Sequence, residues 1–236
     1  MLLYFHVLKS FIHSFFYLFF PRCCVVCNGH LAETEKCLCV KCDMDMPRTN
    51  FHRQQGHFTE RLFEESFSFV RTTSFFFYDT GSRFNEILYQ LKYKGNKVLA
   101  EIMGSCMARE LLSSGFFEGI DILVPVPLHP KKQKRRGYNQ SERIAAGISR
   151  VTGIPVITSY SERIKNTDTQ THKSAIERRE NVKEIFLLQN PLFFSGKHIL
   201  IVDDVLTTGA TILSYASIFR DVKDIRISVF TMAIAR

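Results

Sequence analysis

The chain has 236 residues, 45% of them hydrophobic and 23% charged, with a formal net charge of +8. That apolar content can offset the conformational entropy of folding, which excludes disorder over most of the length. Twelve Gly and seven Pro without period exclude a collagen-like or low-complexity chain. The length suits one large domain with a small appendage.

Residues 1–20 begin Met1-Leu2-Leu3-Tyr4 and are strongly apolar. A membrane-spanning helix needs about 20 mostly apolar residues, and His6, Lys9, Ser10, His13 and Ser14 interrupt this run. His6, Lys9, Ser10 and His13 share one helical face. Phe19-Phe20-Pro21-Arg22 offers no small-residue cleavage site for a secretory leader. The expectation is an amphipathic N-terminal helix over 1–20, docked on the body of the protein, with no stable membrane insertion.

Six of the seven cysteines lie between Cys23 and Cys42. Cys24-Val25-Val26-Cys27 and Cys39-Val40-Lys41-Cys42 are two Cys-x-x-Cys pairs with eleven residues between them. Each pair offers two thiolates to one tetrahedral centre, and four soft sulfurs favour a structural Zn²⁺ with no open position. Cys23 and Cys37 adjoin these pairs and leave the choice of four ligands open by one residue on each side. A disulfide framework would need an oxidising compartment. The odd cysteine count and the absence of a leader signal argue against one and for a cytoplasmic location. The reading is a zinc ribbon over 21–50 with ligands Cys24, Cys27, Cys39 and Cys42.

Residues 50–57 are polar and read as a linker or loop. Ser74 to Tyr78 suits a strand. Phe84, Ile87, Leu88 and Leu91 form a helical stripe, and Val98, Leu99, Ile102, Met103, Cys106 and Met107 form a second. Cys106 reads there as a buried apolar residue. Ile120 to Pro127 is a β-branched run closed by prolines. Asn139 to Val151 reads as a helix, Pro155 to Thr158 as a strand, Ala175 to Val182 as a charged helix and Glu184 to Leu188 as a strand. His198 to Val202 is near-continuously apolar, as in a strand buried on both faces of a parallel sheet. Ala210 to Phe219 is a helix and Ile225 to Ile234 a final strand. The alternation gives a doubly wound α/β domain over 68–236.

The most informative stretch is Val202-Asp203-Asp204-Val205-Leu206-Thr207-Thr208-Gly209-Ala210-Thr211. A buried strand ends in two carboxylates, and a Thr- and Gly-rich turn then opens a helix. Helix N-termini bind phosphate through unpaired N–H groups and the helix dipole. Thr207, Thr208 and Thr211 add hydroxyl donors, and Gly209 permits close backbone approach. Two acids at a strand's carboxyl end suit ribose hydroxyls with Mg²⁺ nearby.

This stretch resembles the phosphoribosyl pyrophosphate (PRPP) motif of type I phosphoribosyltransferases. The resemblance implies that Asp203 and Asp204 hold ribose hydroxyls and that Thr207, Thr208, Gly209, Ala210 and Thr211 cradle the 5′-phosphate. The whole chain is similar to the ComF family. The matching segments are Leu18-Phe19-Phe20-Pro21 before the Cys pairs, Leu91-Lys92-Tyr93-Lys94-Gly95, Val124-Pro125-Val126-Pro127-Leu128-His129, Arg135-Arg136-Gly137-Tyr138-Asn139-Gln140, Thr167 with Gln170, and Arg178-Arg179-Glu180-Asn181. The family pairs a zinc ribbon with a type I phosphoribosyltransferase-like domain and is linked to competence and the uptake or use of DNA. By that resemblance, Pro127, Leu128 and His129 belong to a pyrophosphate-binding loop. Gln170, Arg178 and Asn181 would lie in a lid between core strands.

Residues 131–150 hold seven Lys and Arg against one acid, so most of the net charge is local. Positioned cations stabilise a departing pyrophosphate. Arg135 and Arg136 are the candidates, because Arg binds phosphate bidentately, whereas Lys131 and Lys132 read as solvated. The same run could contact nucleic acid, and Tyr138 could stack on a base, although a packed Tyr138 is the simpler reading. Two functions follow. One is an enzyme that binds Mg²⁺–PRPP and transfers phosphoribosyl to a nitrogen nucleophile. The other is a non-catalytic uptake factor that binds single-stranded DNA or a helicase partner through its zinc ribbon and basic segment. A homodimer is compatible with both.

Overall fold

The apolar run His198–Val202 becomes the middle of a parallel sheet, where a strand flanked and covered on all sides needs apolar side chains throughout. The computed structural model describes residues 21–165 and 185–236. It divides the chain into Met1–Met46 and Pro47–Arg236. The expected helices over 1–20 and Ala175 to Val182, and the lid candidates Gln170, Arg178 and Asn181, lie outside the described residues.

Among the described residues, the first unit holds one short helix, α1 (Val40–Met44), over a small cluster of Leu31, Cys24 and Cys42. The second runs through a 3-10 turn (Phe51–Arg53), α2 (Phe58–Glu64), β1 (Thr72–Tyr78), α3 (Asn85–Tyr93), α4 (Lys97–Leu112) and β2 (Ile122–Pro125). Then come α5 (Pro130–Arg136), α6 (Gln140–Thr152), β3 (Ser161–Arg163), β4 (Phe186–Leu188), β5 (His198–Leu206), α7 (Ala210–Ser217) and β6 (Arg226–Ala235). The main sheet has the order β1-β6-β5-β2, with every pair parallel. Side chains alternate across it. Ile199 and Ile201 join Ile122, Val124, Ile227 and Val229 against Ile212, Tyr215 and Ala216 of α7. The alternate residues Leu123, Leu200 and Val202 are equally buried, and α6 packs on β2 and β5.

The strand expected at Pro155 to Thr158 narrows to one parallel bridge between Val156 and Leu123. Pro155 has no N–H, so only its carbonyl pairs there, accepting from the Leu123 N–H at 2.8 Å. The chain therefore leaves β2 for the far edge and returns to β5 on the other side of β2. This reversal is a topological switch point, and it opens a crevice at the carboxyl ends of β2 and β5.

Four expectations change. The stripe on α4 is displaced: Leu99, Ala100, Met103, Gly104, Met107, Ala108 and Leu111 are buried, whereas Val98 and Cys106 are exposed. Bulky residues suggested one face, but α4 meets α6 through small ones at Gly104 and Gly147. The polar stretch 50–57, expected as a linker or loop, is a loop with a 3-10 turn folded onto the body, not a linker. Pro47 and Thr49 exchange backbone bonds with Phe77 (2.8 Å) and Phe75 (3.0 Å), covering the outer edge of β1, and Phe51 and Phe63 enter the core. β4 pairs antiparallel with β3 in a separate ribbon, so the strands flanking residues 166–184 are not core strands. Finally, β5 does not end at the two acids. It continues to Leu206, because β6 still offers partners there.

A Cβ on Gly147 would fall inside contact distance of the Glu101 carbonyl oxygen, and one on Gly104 would meet that of Ile144. Although Ala is the better helix former, Gly147→Ala is expected to lower stability by about 1–3 kcal/mol in urea denaturation. A variant as stable as the parent would contradict this packing.

Candidate functional site

The four expected ligands come together. The sulfurs of Cys24, Cys27, Cys39 and Cys42 all lie within 4.8 Å of one another. Zn–S bonds of about 2.3 Å in a tetrahedron put sulfurs about 3.8 Å apart, and the Cys27 and Cys39 Sγ atoms are 3.7 Å apart. The first knuckle closes through Cys24 N–H to Gly29 O (2.8 Å) and Asn28 N–H to Cys24 O (2.8 Å). The second is the start of α1, where Cys39 Sγ accepts from the Cys42 N–H at 3.4 Å. Burial opposes ionisation of Cys24, but N–H groups of Cys27, Cys39 and Val26 outweigh it and bring the thiol to about 7. Glu35 orders the intervening loop by accepting from the Ala32 (2.6 Å) and Val40 (2.7 Å) N–H groups. Cys23 and Cys37 stand outside the quartet.

The acid pair lies within β5, past the last residue of β2. Asp203 pairs with Thr231 of β6, while β2 closes at Pro125 opposite Val202. Asp203 is therefore laddered to β6 on one side and has no strand partner on the other. Asp203 is buried; its Oδ1 accepts from Ser141 Oγ at 2.8 Å and from the Asp204 N–H at 2.9 Å. Burial, then the neighbouring Asp204 charge, pushes its carboxyl up to about 7. Asp204 is half-buried and pairs with Lys92 Nζ of α3 at 3.5 Å. Arg163 of β3 lies within electrostatic reach of Asp203 and packs over the Phe186 ring at 5.3 Å.

The stretch from Arg136 to Ser141 holds this pair in place. Gly137 ends α5 at φ 78°, a conformation that favours glycine. Tyr138 and Gln140 both donate to the Leu91 carbonyl, at 2.5 and 3.3 Å, fixing the turn that presents Lys92. Asn139 caps α6 at Ser141 N–H (3.1 Å) and donates to Val126 O (3.0 Å), tying down the loop after β2. Arg136 donates to Gln140 Oε1 at 3.0 Å. Tyr138 is buried, with its phenol pushed up to about 12 by burial, so it packs and does not present a ring to solvent.

The Val126 N–H donates to Val202 O at 2.9 Å, which starts the half-buried Pro127, Leu128 and His129 directly beside Asp203. His129 Nδ1 caps α5 by accepting from the Lys131 N–H (3.2 Å). Across the crevice, Thr207, Thr208, Ala210 and Thr211 are exposed on the loop into α7. Gly209 has φ 77°, and a Cβ there would meet Phe63 at 2.7 Å. Arg135 stands on the exposed surface of α5. Sequence reasoning gave no role to Ser141 or Lys92; Lys92 lies inside one matching segment and Ser141 directly follows another, which is the signal that was available.

The folded chain holds the Asp203 proton more tightly than the unfolded chain does, so ionisation opposes folding. Stability from this group is present at pH 4 and is lost as pH rises through 7. Asp203→Asn keeps both hydrogen bonds at Oδ1 and has no proton to lose. It should raise Tm relative to the parent at pH 8, by up to about 4 kcal/mol in stability, with the gain vanishing near pH 4. An equal gain at both pH values would contradict a perturbed Asp203.

No protein-family model matches the chain. It is 30% identical over 198 residues to the DNA utilization protein YhgH of Escherichia coli O157:H7, covering 83% of this chain and 82% of the relative. Competence protein F of Haemophilus influenzae is 36% identical over 114 residues, 48% of this chain and 50% of the relative. Competence protein ComFC of Bacillus subtilis is 25% identical over 138 residues, 57% of this chain and 52% of the relative. A purine phosphoribosyltransferase from Pyrococcus horikoshii Ot3 superposes with a TM-score of 0.33 at 15% identity over 61% of this chain and 86% of its own, too slight a likeness to argue from. The match to YhgH runs along most of both chains, and on that ground the chain belongs to the ComF family of competence and DNA-utilization proteins.

Proposed function

We propose that the crevice between β2 and β5 binds Mg²⁺–PRPP and that the protein transfers its phosphoribosyl group to a nitrogen nucleophile, releasing pyrophosphate. The observation that carries this reading is the joining of an acid pair, one member of it buried, to a Thr- and Gly-rich helix entrance at the switch point of the sheet. Asp203 and Asp204 accept hydrogen bonds from the ribose hydroxyls. Oxygen donors of this kind fit a hard cation, and Mg²⁺ held there would neutralise charge on the pyrophosphate. Thr207, Thr208 and Thr211, with the N–H groups opening α7, hold the 5′-phosphate. The Pro127-Leu128-His129 loop faces the leaving group, with Arg135 and Arg136 supplying cations from α5. The chain contributes positioning and electrostatics, with no covalent nucleophile of its own.

The cysteine quartet holds a structural Zn²⁺, and free thiolates suit the reducing cytoplasm. Among the described residues, no helix is long and apolar enough to cross a membrane. A second reading, a DNA-handling factor that binds single-stranded DNA or an uptake helicase, is favoured by one surface. Tyr89 and Tyr93 are exposed with ring centroids 5.3 Å apart, and Lys94 lies 5.7 Å over Tyr89. Exposed aromatics beside cations can stack bases. The names of the relatives agree with that role.

Millimolar PRPP with Mg²⁺ should raise Tm by several degrees, since a ligand that binds only the folded state stabilises it. Asp203→Asn with Asp204→Asn should remove the shift; no shift in the parent would contradict the site. Elemental analysis should find one zinc per chain, retained in Cys23→Ser and Cys37→Ser and lost in Cys24→Ser and Cys42→Ser. Zinc retained without Cys24 would overturn the ligand set.

A further inference from the structure

The carboxyl ends of β1 and β6 frame a second cavity, of ≈ 530 Å³, within the size range of small-molecule sites. Its walls are Phe51, Phe58 and Phe77 with Ile234. Phe51 stacks flat on His57 (4.8 Å, 4°) and meets Phe77 edge-on (5.7 Å, 89°). Phe58 leaves 49% of its surface exposed. His57 is fixed on both ring nitrogens, with Thr59 Oγ1 at 2.7 Å and Glu60 Oε1 at 3.2 Å. Glu60 also accepts from the Gly56 N–H at 2.6 Å. The aromatic wall and the loop beside it are therefore held ready without a ligand.

Cationic groups outnumber acidic ones around this cavity, and the Glu60 carboxylate against its lining is engaged by His57 and the Gly56 N–H. Arg61 and Arg236 bring two guanidiniums, and no lining residue is Asp or Glu. The Arg236 guanidinium lies over Phe77 at 5.1 Å. Arg61 is exposed on α2. The exposed amides of Gln54 and Gln55 add donors and acceptors at the rim. A cation would be repelled here. A wholly apolar ligand would strip water from the guanidiniums without replacing it.

We infer that this cavity binds a planar aromatic or heteroaromatic ring carrying a negative group, with the ring against the phenylalanines and the anion on Arg61 and Arg236. Carboxylate and phosphate both satisfy guanidinium donors, so two ligand sources share this chemistry: a ring acid and a nucleotide. The inference uses no residue of the acid pair and goes beyond the PRPP reading.

Equilibrium dialysis of the full, zinc-loaded chain without PRPP or Mg²⁺ tests it, using nicotinate and adenosine 5′-monophosphate against their uncharged counterparts nicotinamide and adenosine. At least one anionic probe should bind at least tenfold more tightly than its counterpart, and the probe that does so identifies the source. Arg61→Gln should abolish that preference. Phe58→Ala, at an exposed position, should weaken the charged and uncharged members together. Asp203→Asn should leave the preference intact, which separates this site from the PRPP crevice. Failure of both anionic probes to bind at millimolar concentration, or a preference unchanged in Arg61→Gln, would overturn the inference.

Discussion

A carboxylate buried in the central strand of a sheet needs a donor, and Asp203 has one in the Ser141 hydroxyl. Most of what surrounds the crevice can be followed outward from that bond. Ser141 is the first-turn residue of α6, so the helix must begin at that place. Asn139 sets the start by capping it while holding the β2 loop through Val126. Tyr138 and Gln140 reach the other way, to Leu91, and fix the helix end from which Lys92 meets Asp204. Six consecutive residues thus connect the three walls of the crevice. Tyr138 and Gln140 converge on the Leu91 carbonyl, Asn139 takes Val126 and Ser141 takes Asp203.

The arrangement has a thermodynamic cost. Two adjacent acids, one of them buried, oppose folding near neutral pH, as sites kept for function commonly do. The sheet accommodates them by stopping β2 at Pro125 while β5 runs on beside β6. Asp203 is thereby paired with Thr231 on one side and has no strand partner on the other, while Asp204 keeps part of its surface exposed. The charge excess of the chain falls nearby, on the solvent face of α5, which contributes no buried side chain. Positive charge there can act on an anionic ligand without being desolvated in the apo protein.

Much of this was legible in the residues. Continuous β-branched runs marked β2 and β5, and the spacing of Cys24, Cys27, Cys39 and Cys42 marked the quartet. What was not legible shares a cause: it depends on partners far away in sequence. Periodicity placed Cys106 inside because it counts bulk, whereas α4 is buried through Gly104 against Gly147. Residues 50–57 looked like a linker or loop because polar side chains dominate the stretch, and the burial of Phe51 and His57 depends on core residues far away in sequence. The extension of β5 through Asp203 and Asp204 could not be read from β5 alone, since the length of β6 decides it. Ser141 and Lys92 looked like ordinary helix residues until the fold brought them to the acids.

Under the proposed function, Asp203 keeps its proton through burial until Mg²⁺ arrives with PRPP. Its carboxyl pKa, read by carbon-detected NMR titration of the apo chain and repeated with Mg²⁺ and PRPP, tests this most directly. The account predicts a value of about 7 without ligand and a clear fall when ligand is bound. An ordinary carboxylate value in the apo protein, or a value unmoved by Mg²⁺ and PRPP, would contradict it.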